Sequence, residues 1–378
     1  MKIQQKVKNE SGWEVTNTQD GFDAKLCQLV LVLGGKANID ESVLKTLKSE
    51  YPNALLVSAS TAGEISNFDF FDEQLSTTAI QLDKTPIESK VVNIQDFENS
   101  YELGLSLFDQ IPKNDLKYIL ILSDGGLING TELLEGINKE NKEGILITGG
   151  LAGDGARFES TLVGLDFDLQ SGNVVAIGFY GDSIQVGHGS LGGWDEFGPE
   201  RIITKSEKNV LFELDNKNAL ELYKQYLGTY ADELPGSALL FPLSISSIEH
   251  DSKNVRTILS IDEDAQSMTF AGNLPVGSKV RLMKANFDKI ISASGTAAEQ
   301  AVSFNLDNPD LALLISCVGR KLILNERVEE EIEVAKDIFG EGTAVAGFYS
   351  YGEISPLLKS QKCELQNQTM TITTLKEI

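Results

Sequence analysis

An apolar run, a glycine turn, an amphipathic helix and a second apolar run recur in that order along this chain. That pattern commits it to buried strands joined by helices. Residues 26–33 (LCQLVLVL) read as a strand closed by Gly34-Gly35. Asp40 is placed to cap a helix running to about Glu50, with Val43, Leu44 and Leu47 on one face and Tyr51-Pro52 as the stop. Residues 54–57 form the next strand and enter Ser58-Ala59-Ser60-Thr61-Ala62-Gly63-Glu64-Ile65-Ser66. The same succession returns near the C-terminus. A strand at 311–318 ends at Gly319-Arg320-Lys321, and a helix carries Val328, Ile332, Ala335 and Phe339 before Gly340. Residues 344–349 then lead into Ser350-Tyr351-Gly352-Glu353-Ile354-Ser355, so both units close on Gly-Glu-Ile-Ser. A third unit lies between them: a strand at 118–122, a helix near 131–138, and a strand at 145–147 entering Thr148-Gly149-Gly150-Leu151-Ala152-Gly153-Asp154-Gly155. A meander of short strands follows to about Gln185. A helix near 219–227, ended by Gly228, reads as the hinge between halves. The expected fold is α/β (mixed α+β): two related halves with mixed sheets flanked by helices and βαβ-like pseudo-repeats.

Composition narrows the function. The 378 residues carry 32 Lys and Arg against 56 Asp and Glu, a net charge of −24, with no cationic run to follow a nucleic-acid backbone or an anionic membrane. The start is polar and shows no secretory leader. Three scattered cysteines, Cys27, Cys317 and Cys363, fit a reducing cytoplasm, and two histidines, His188 and His250, make a multi-histidine metal centre untenable.

Several residues have the chemistry of a site. Gly149 to Gly155 follows a strand as a phosphate loop would, but it lacks the lysine and the following helix of one, so tight turning is the better reading. Glu64 and Glu353 place carboxylates beyond strand ends, where α/β sheets gather ligands; they either bind or fix a turn. Arg320, in a loop after a strand, could hold a ligand carboxylate or form an ion pair. Cys317 sits in an apolar strand and reads as an inert thiol. His188, in Val186-Gly187-His188-Gly189-Ser190, could serve as a single axial haem ligand or as an ordinary hydrogen-bonded loop residue. Phe68, Phe70 and Phe71 read as a loop folded on the core or covering a pocket entrance.

Taken together, these segments resemble the FIST family ("F-box and intracellular signal transduction"). Residues 58–65 resemble its Gly-Cys-Ser-Thr-Ala-Gly-Glu-Ile segment, 149–154 its Gly-Gly-x-Ala-Gly-Asp turn, and 317–320 with 346–354 the two marks of its C-terminal domain. Ser58-Ala59 departs from the family's usual Gly-Cys, which argues against thiol chemistry at that turn. The resemblance implies an N-terminal domain over 25–218, a C-terminal domain over 219–357 and an extension over 358–378. It implies a bacterial, cytoplasmic sensory module that binds a small ligand such as an amino acid without chemistry and without a cofactor. The output would pass to a separate signalling protein such as a kinase or cyclase. The expected ligand set is Ser60, Thr61, Glu64, Gly150, Asp154, Arg320, Tyr349 and Glu353, matched to a zwitterion. Two alternatives stand beside it: a haem-binding nitric-oxide sensor using His188, and a hydrolase-like enzyme using Cys317 or the paired carboxylates.

Overall fold

The computed structural model describes residues 1–246, 253–303, 308–340, 342–356 and 362–378. His250 lies outside the described residues. Among them, each apolar run is a strand, and the paired runs are parallel neighbours: Leu29–Gly34 with Leu55–Ser60, Leu116–Ser123 with Leu146–Leu151, and Leu311–Cys317 with Ala344–Ser350. The helices between them follow from local sequence. Glu41–Glu50 starts where the Asp40 carboxylate accepts the Val43 N–H, and buries Val43, Leu44 and Leu47. Gly130–Glu140 is capped by Asn129, and Glu330–Phe339 ends at Gly340 with φ 74°.

The chain is built from three repeats rather than two halves, over residues 2–81, 87–180 and 184–377. Each supplies a first strand, the parallel pair, a two-stranded hairpin and a last strand. The hairpin does not return to its own sheet. Glu64–Ser66 of the first repeat pairs with Ala344–Ser350 of the third, Gly352–Pro356 of the third with Leu146–Leu151 of the second, and Val163–Leu165 of the second with Leu55–Ser60 of the first. Three sheets are thereby interlocked in a ring. Equivalent side chains, Leu31 and Leu33, Leu120 and Leu122, Leu313 and Ile315, meet in one buried cluster. The space between them is about 10 Å³, so the centre is packed core and no channel. Each of these residues contributes on the order of 1.5–3 kcal/mol by leaving water.

The third repeat carries an insertion. Between the Ile184–Leu191 strand and the Phe287–Val302 helix, residues 195–284 form an eight-stranded antiparallel sheet with its own core, including Ile203, Leu220, Phe270 and Leu282. The Ala219–Leu227 helix, ended by Gly228 as the sequence suggests, packs inside this insertion and is not a hinge between halves. The segment expected to be a C-terminal extension is integral: Cys363–Gln366 completes the Gly352–Pro356 hairpin, and Met370–Glu377 lies between Ile184–Leu191 and Leu311–Cys317. Arg320 lies in a short helix, Val318–Leu324, not a loop, and His188 is a strand residue opposite Thr373.

Candidate functional site

The strand-end turns of all three repeats gather at one end of the ring, where their backbones bond across repeats: Gly153 N–H to Ser60 O, Ala62 N–H to Tyr349 O, and Tyr351 N–H to Leu151 O. Glu64 and Glu353 occupy equivalent places. The Thr61 hydroxyl donates to Glu64 Oε1 and the Gln74 N–H to Oε2 at 3.0 Å. The Ser350 hydroxyl donates to Glu353 Oε1 at 2.8 Å, while the Thr369 N–H and hydroxyl reach Oε2 at 3.1 and 2.9 Å. In both, the carboxyl ties its own turn to the start of the repeat's last strand. Burial pushes each up to about 8, against those hydrogen bonds. The second repeat has apolar Val163 at this register position.

Asp154 does different work. Its carboxylate accepts the N–H groups of Phe158, Glu159 and Ser160 at 2.9–3.1 Å and the Tyr351 hydroxyl. Burial alone would raise it, but these bonds hold it below the usual carboxylate range. They clamp a loop unique to this repeat: thirteen positions separate Gly150 from Val163, where five separate Ala59 from Glu64.

The remaining sequence-derived candidates are also enclosed. Ser60 Oγ accepts the Leu162 N–H at 2.8 Å. A Cβ on Gly150 would stand 2.7 Å from Ile315 Cγ2, and one on Gly149 (φ 155°) 1.9 Å from Ile121 O, so this glycine run serves close strand approach. Arg320 is fully buried. It donates to Glu331 Oε2 at 2.8 and 2.9 Å, Gly192 O and Ile290 O at 2.7 Å, and Ser294 Oγ at 2.8 Å. Tyr349 donates to Glu331 Oε1 at 2.7 Å. This guanidinium is spent on its own chain, and the cleft expected from Arg320 and the two glutamates is not assembled. Cys317 is buried at the start of the Val318–Leu324 helix, and burial drives its thiol far up, which opposes a nucleophilic role.

Two open clefts, each about 310 Å³, lie beside these turns. The first is charged. Phe70, Asp72 and Glu73 from the first repeat's hairpin face Val318, Lys321, Leu322 and Val328 of the third, with Gly155 and Ala156 of the clamped loop as floor. Lys321 Nζ donates to Ala62 O at 2.8 Å and Asp72 Oδ1 at 2.6 Å, and Arg157 pairs with Glu73. The second is neutral. It lies between the loop at 125–130, Phe158 and Tyr351 on one side and Asn209, Leu259 and Phe270 of the inserted sheet on the other.

Two family models match the chain. The FIST N domain matches residues 28–217 and the FIST C domain residues 219–356. The chain belongs to the FIST family. It is also similar to an uncharacterized protein of Methanocaldococcus jannaschii, at 24% identity over 83% of this chain and 66% of that protein, so it spans just under two thirds of its relative. FIST domains are associated with signal transduction and small-ligand sensing. No helix among the described residues is long and apolar enough to cross a membrane. The FIST N and C boundary at 217–219 falls inside the inserted sheet, so the two family segments jointly build the three-repeat ring.

None of the eight residues drawn from the sequence lines either cleft, and His188 lines neither. Phe70 does line the charged one, as an aromatic at a pocket entrance should. Of the cleft residues, Lys321 stands in the sequence only as the end of a strand, and Asp72, Phe158 and Asn209 belong to no motif. One available signal was the length of the segment after Gly150 compared with its two sister turns.

Proposed function

We propose that this FIST protein is a small-ligand-binding sensory module whose site is the charged cleft, and that its ligand is an amino acid or a similar zwitterion. The observation that carries this reading is the Lys321–Asp72 contact in the cleft wall, with Glu73 beside it paired to Arg157, around a space otherwise lined by apolar residues and Asn325. Lys321 uses two of its three N–H donors on Ala62 and Asp72, which leaves one for a ligand carboxylate. Asp72 and Glu73, both more than half exposed, can turn to a ligand ammonium without a large desolvation cost. Phe70, Val318 and Leu322 would pack on an apolar side chain. Output passes to a separate cytoplasmic signalling protein.

The test is a thermal-shift and calorimetric screen of the twenty amino acids and their decarboxylated and deaminated analogues. A ligand at a hundredfold over its Kd adds about 2.7 kcal/mol to the native state. Binding that needs both the carboxylate and the ammonium, and is lost in Lys321→Ala, supports the reading. Binding that persists in Lys321→Ala places the ligand elsewhere.

A further inference from the structure

The neutral cleft has a chemistry of its own, independent of the charged one. Phe158 stacks on Tyr351 with ring centroids 4.5 Å apart and planes at 19°, yet it remains 48% exposed and lines the cleft with its remaining surface. Its backbone is held at φ 55° by the Asp154 carboxylate and the Tyr351 hydroxyl, which accept its N–H. An aromatic ring kept half in water by a dedicated clamp is a platform for another ring. Across from it, Asn129 Nδ2 donates to Asn273 Oδ1 at 3.0 Å, and Asn209 Nδ2 donates to Phe270 O at 2.8 Å. Each amide keeps a second N–H, and Asn209 Oδ1 accepts no hydrogen bond among the described residues.

The walls are fixed to one another by the Asn129–Asn273 bond, the Asn273 N–H to Thr131 Oγ1, and the Lys208–Glu132 ion pair at 2.8 Å. The space is therefore preformed. Its lining is Gly, Ala, Leu, Ile, Asn, Phe and Tyr, with no charged side chain. In a chain of net charge −24, such a cleft offers a phosphate no cationic side chain. We propose that the cleft between the ring and the inserted sheet is a second ligand site, taking an uncharged planar heteroaromatic ring that stacks on Phe158 and bonds its polar edge to the Asn129 and Asn209 amides. At about 310 Å³ it lies at the small end of ligand pockets, the size for one ring system with a small substituent.

The test uses the full chain with adenosine, uracil and nicotinamide as probes, and adenosine 5′-monophosphate and ribose as controls, by saturation-transfer NMR and calorimetry. At least one ring probe should bind through its ring protons, ribose should not bind, and the monophosphate should bind more weakly than adenosine. Phe158→Ala should weaken binding roughly tenfold to a hundredfold, the range expected for loss of one stacking platform, and Phe158→Trp should retain it. Phe158→Gly suits the positive φ and serves if the alanine variant is unstable. Absence of binding by all three ring probes at millimolar concentration, tighter binding of the monophosphate, or unchanged binding in Phe158→Ala would each overturn the proposal.

Discussion

At the level of single residues, the two buried glutamates set a pH signature. An ordinary carboxyl titrates near ~4.3, whereas Glu64 and Glu353 titrate near about 8 in the fold because burial disfavours their charge. Between those values the native chain holds protons that the unfolded chain has released, so stability falls as pH rises from about 5 to 8 and levels off above. Lowered His188 acts with the opposite sign below ~6.5, and Glu377, held to about 2, loses its contribution only in more acid solution. Both are unchanged in Glu64→Gln/Glu353→Gln, so the difference from wild type isolates the pair. Urea unfolding at pH 5, 6, 7 and 8 should show a flatter slope in the variant, and an unchanged slope would mean the carboxyls are ionised throughout. Arg320→Ala tests the other buried charge. It strands Glu331 without its cationic partner and should cost about 3–5 kcal/mol, where an exposed ligand-binding arginine would change stability by no more than ~0.5 kcal/mol. The turn positions of Glu64 and Glu353 were legible because a carboxylate follows a buried strand in both. The self-satisfied state of Arg320 was not, since its partners Gly192, Ile290 and Glu331 are brought in by elements distant in sequence.

At the level of elements, the clamped loop separates the two clefts: Gly155 and Ala156 line the charged one and Phe158 the neutral one. Asp154→Ala removes the carboxylate that accepts three of the loop's N–H groups, leaving Phe158 only the Tyr351 hydroxyl. Amide exchange of Phe158, Glu159 and Ser160 should then quicken at least tenfold, while the Leu29–Gly34 and Leu311–Cys317 strands keep their protection. Equal quickening across the strands would show that Asp154 holds the ring and not the loop. Helix bounds were readable from sequence because capping and apolar spacing are local: Asp40 caps, and Val43, Leu44 and Leu47 go inside. Sheet membership was unreadable for the converse reason. Glu64–Ser66 follows Leu55–Ser60 directly yet pairs with Ala344–Ser350, nearly three hundred residues away. A period-two apolar pattern states that a strand is buried but carries no information on which partner it meets.

At the level of the whole molecule, the inserted sheet begins and ends at neighbouring points. Asp195 and Lys284 are partners in one antiparallel register, and the apolar residues between them form a core separate from those of the ring. Residues 196–283 can therefore be replaced by an Asn-Gly turn, which suits two antiparallel strands at that spacing. The ring loses the contacts of Asn129 and Thr131 with Asn273 and of Lys208 with Glu132, and the bonds that Asn254 and Arg256 donate to Leu365 O. The shortened chain should unfold in one cooperative transition and keep amino-acid binding at the charged cleft. Binding of ring probes should be abolished, because Asn209, Leu259 and Phe270 leave with the insertion. The contrasting deletion removes residues 370–378 and with them a strand paired on both sides, to Ile184–Leu191 and Leu311–Cys317. It opens one of the three interlocked sheets and exposes the central cluster to which Leu375 belongs. No cooperative transition should survive it. A shortened chain that fails to fold while the 370–378 deletion folds would mean that the insertion, and not the interlocked hairpins, holds the ring closed.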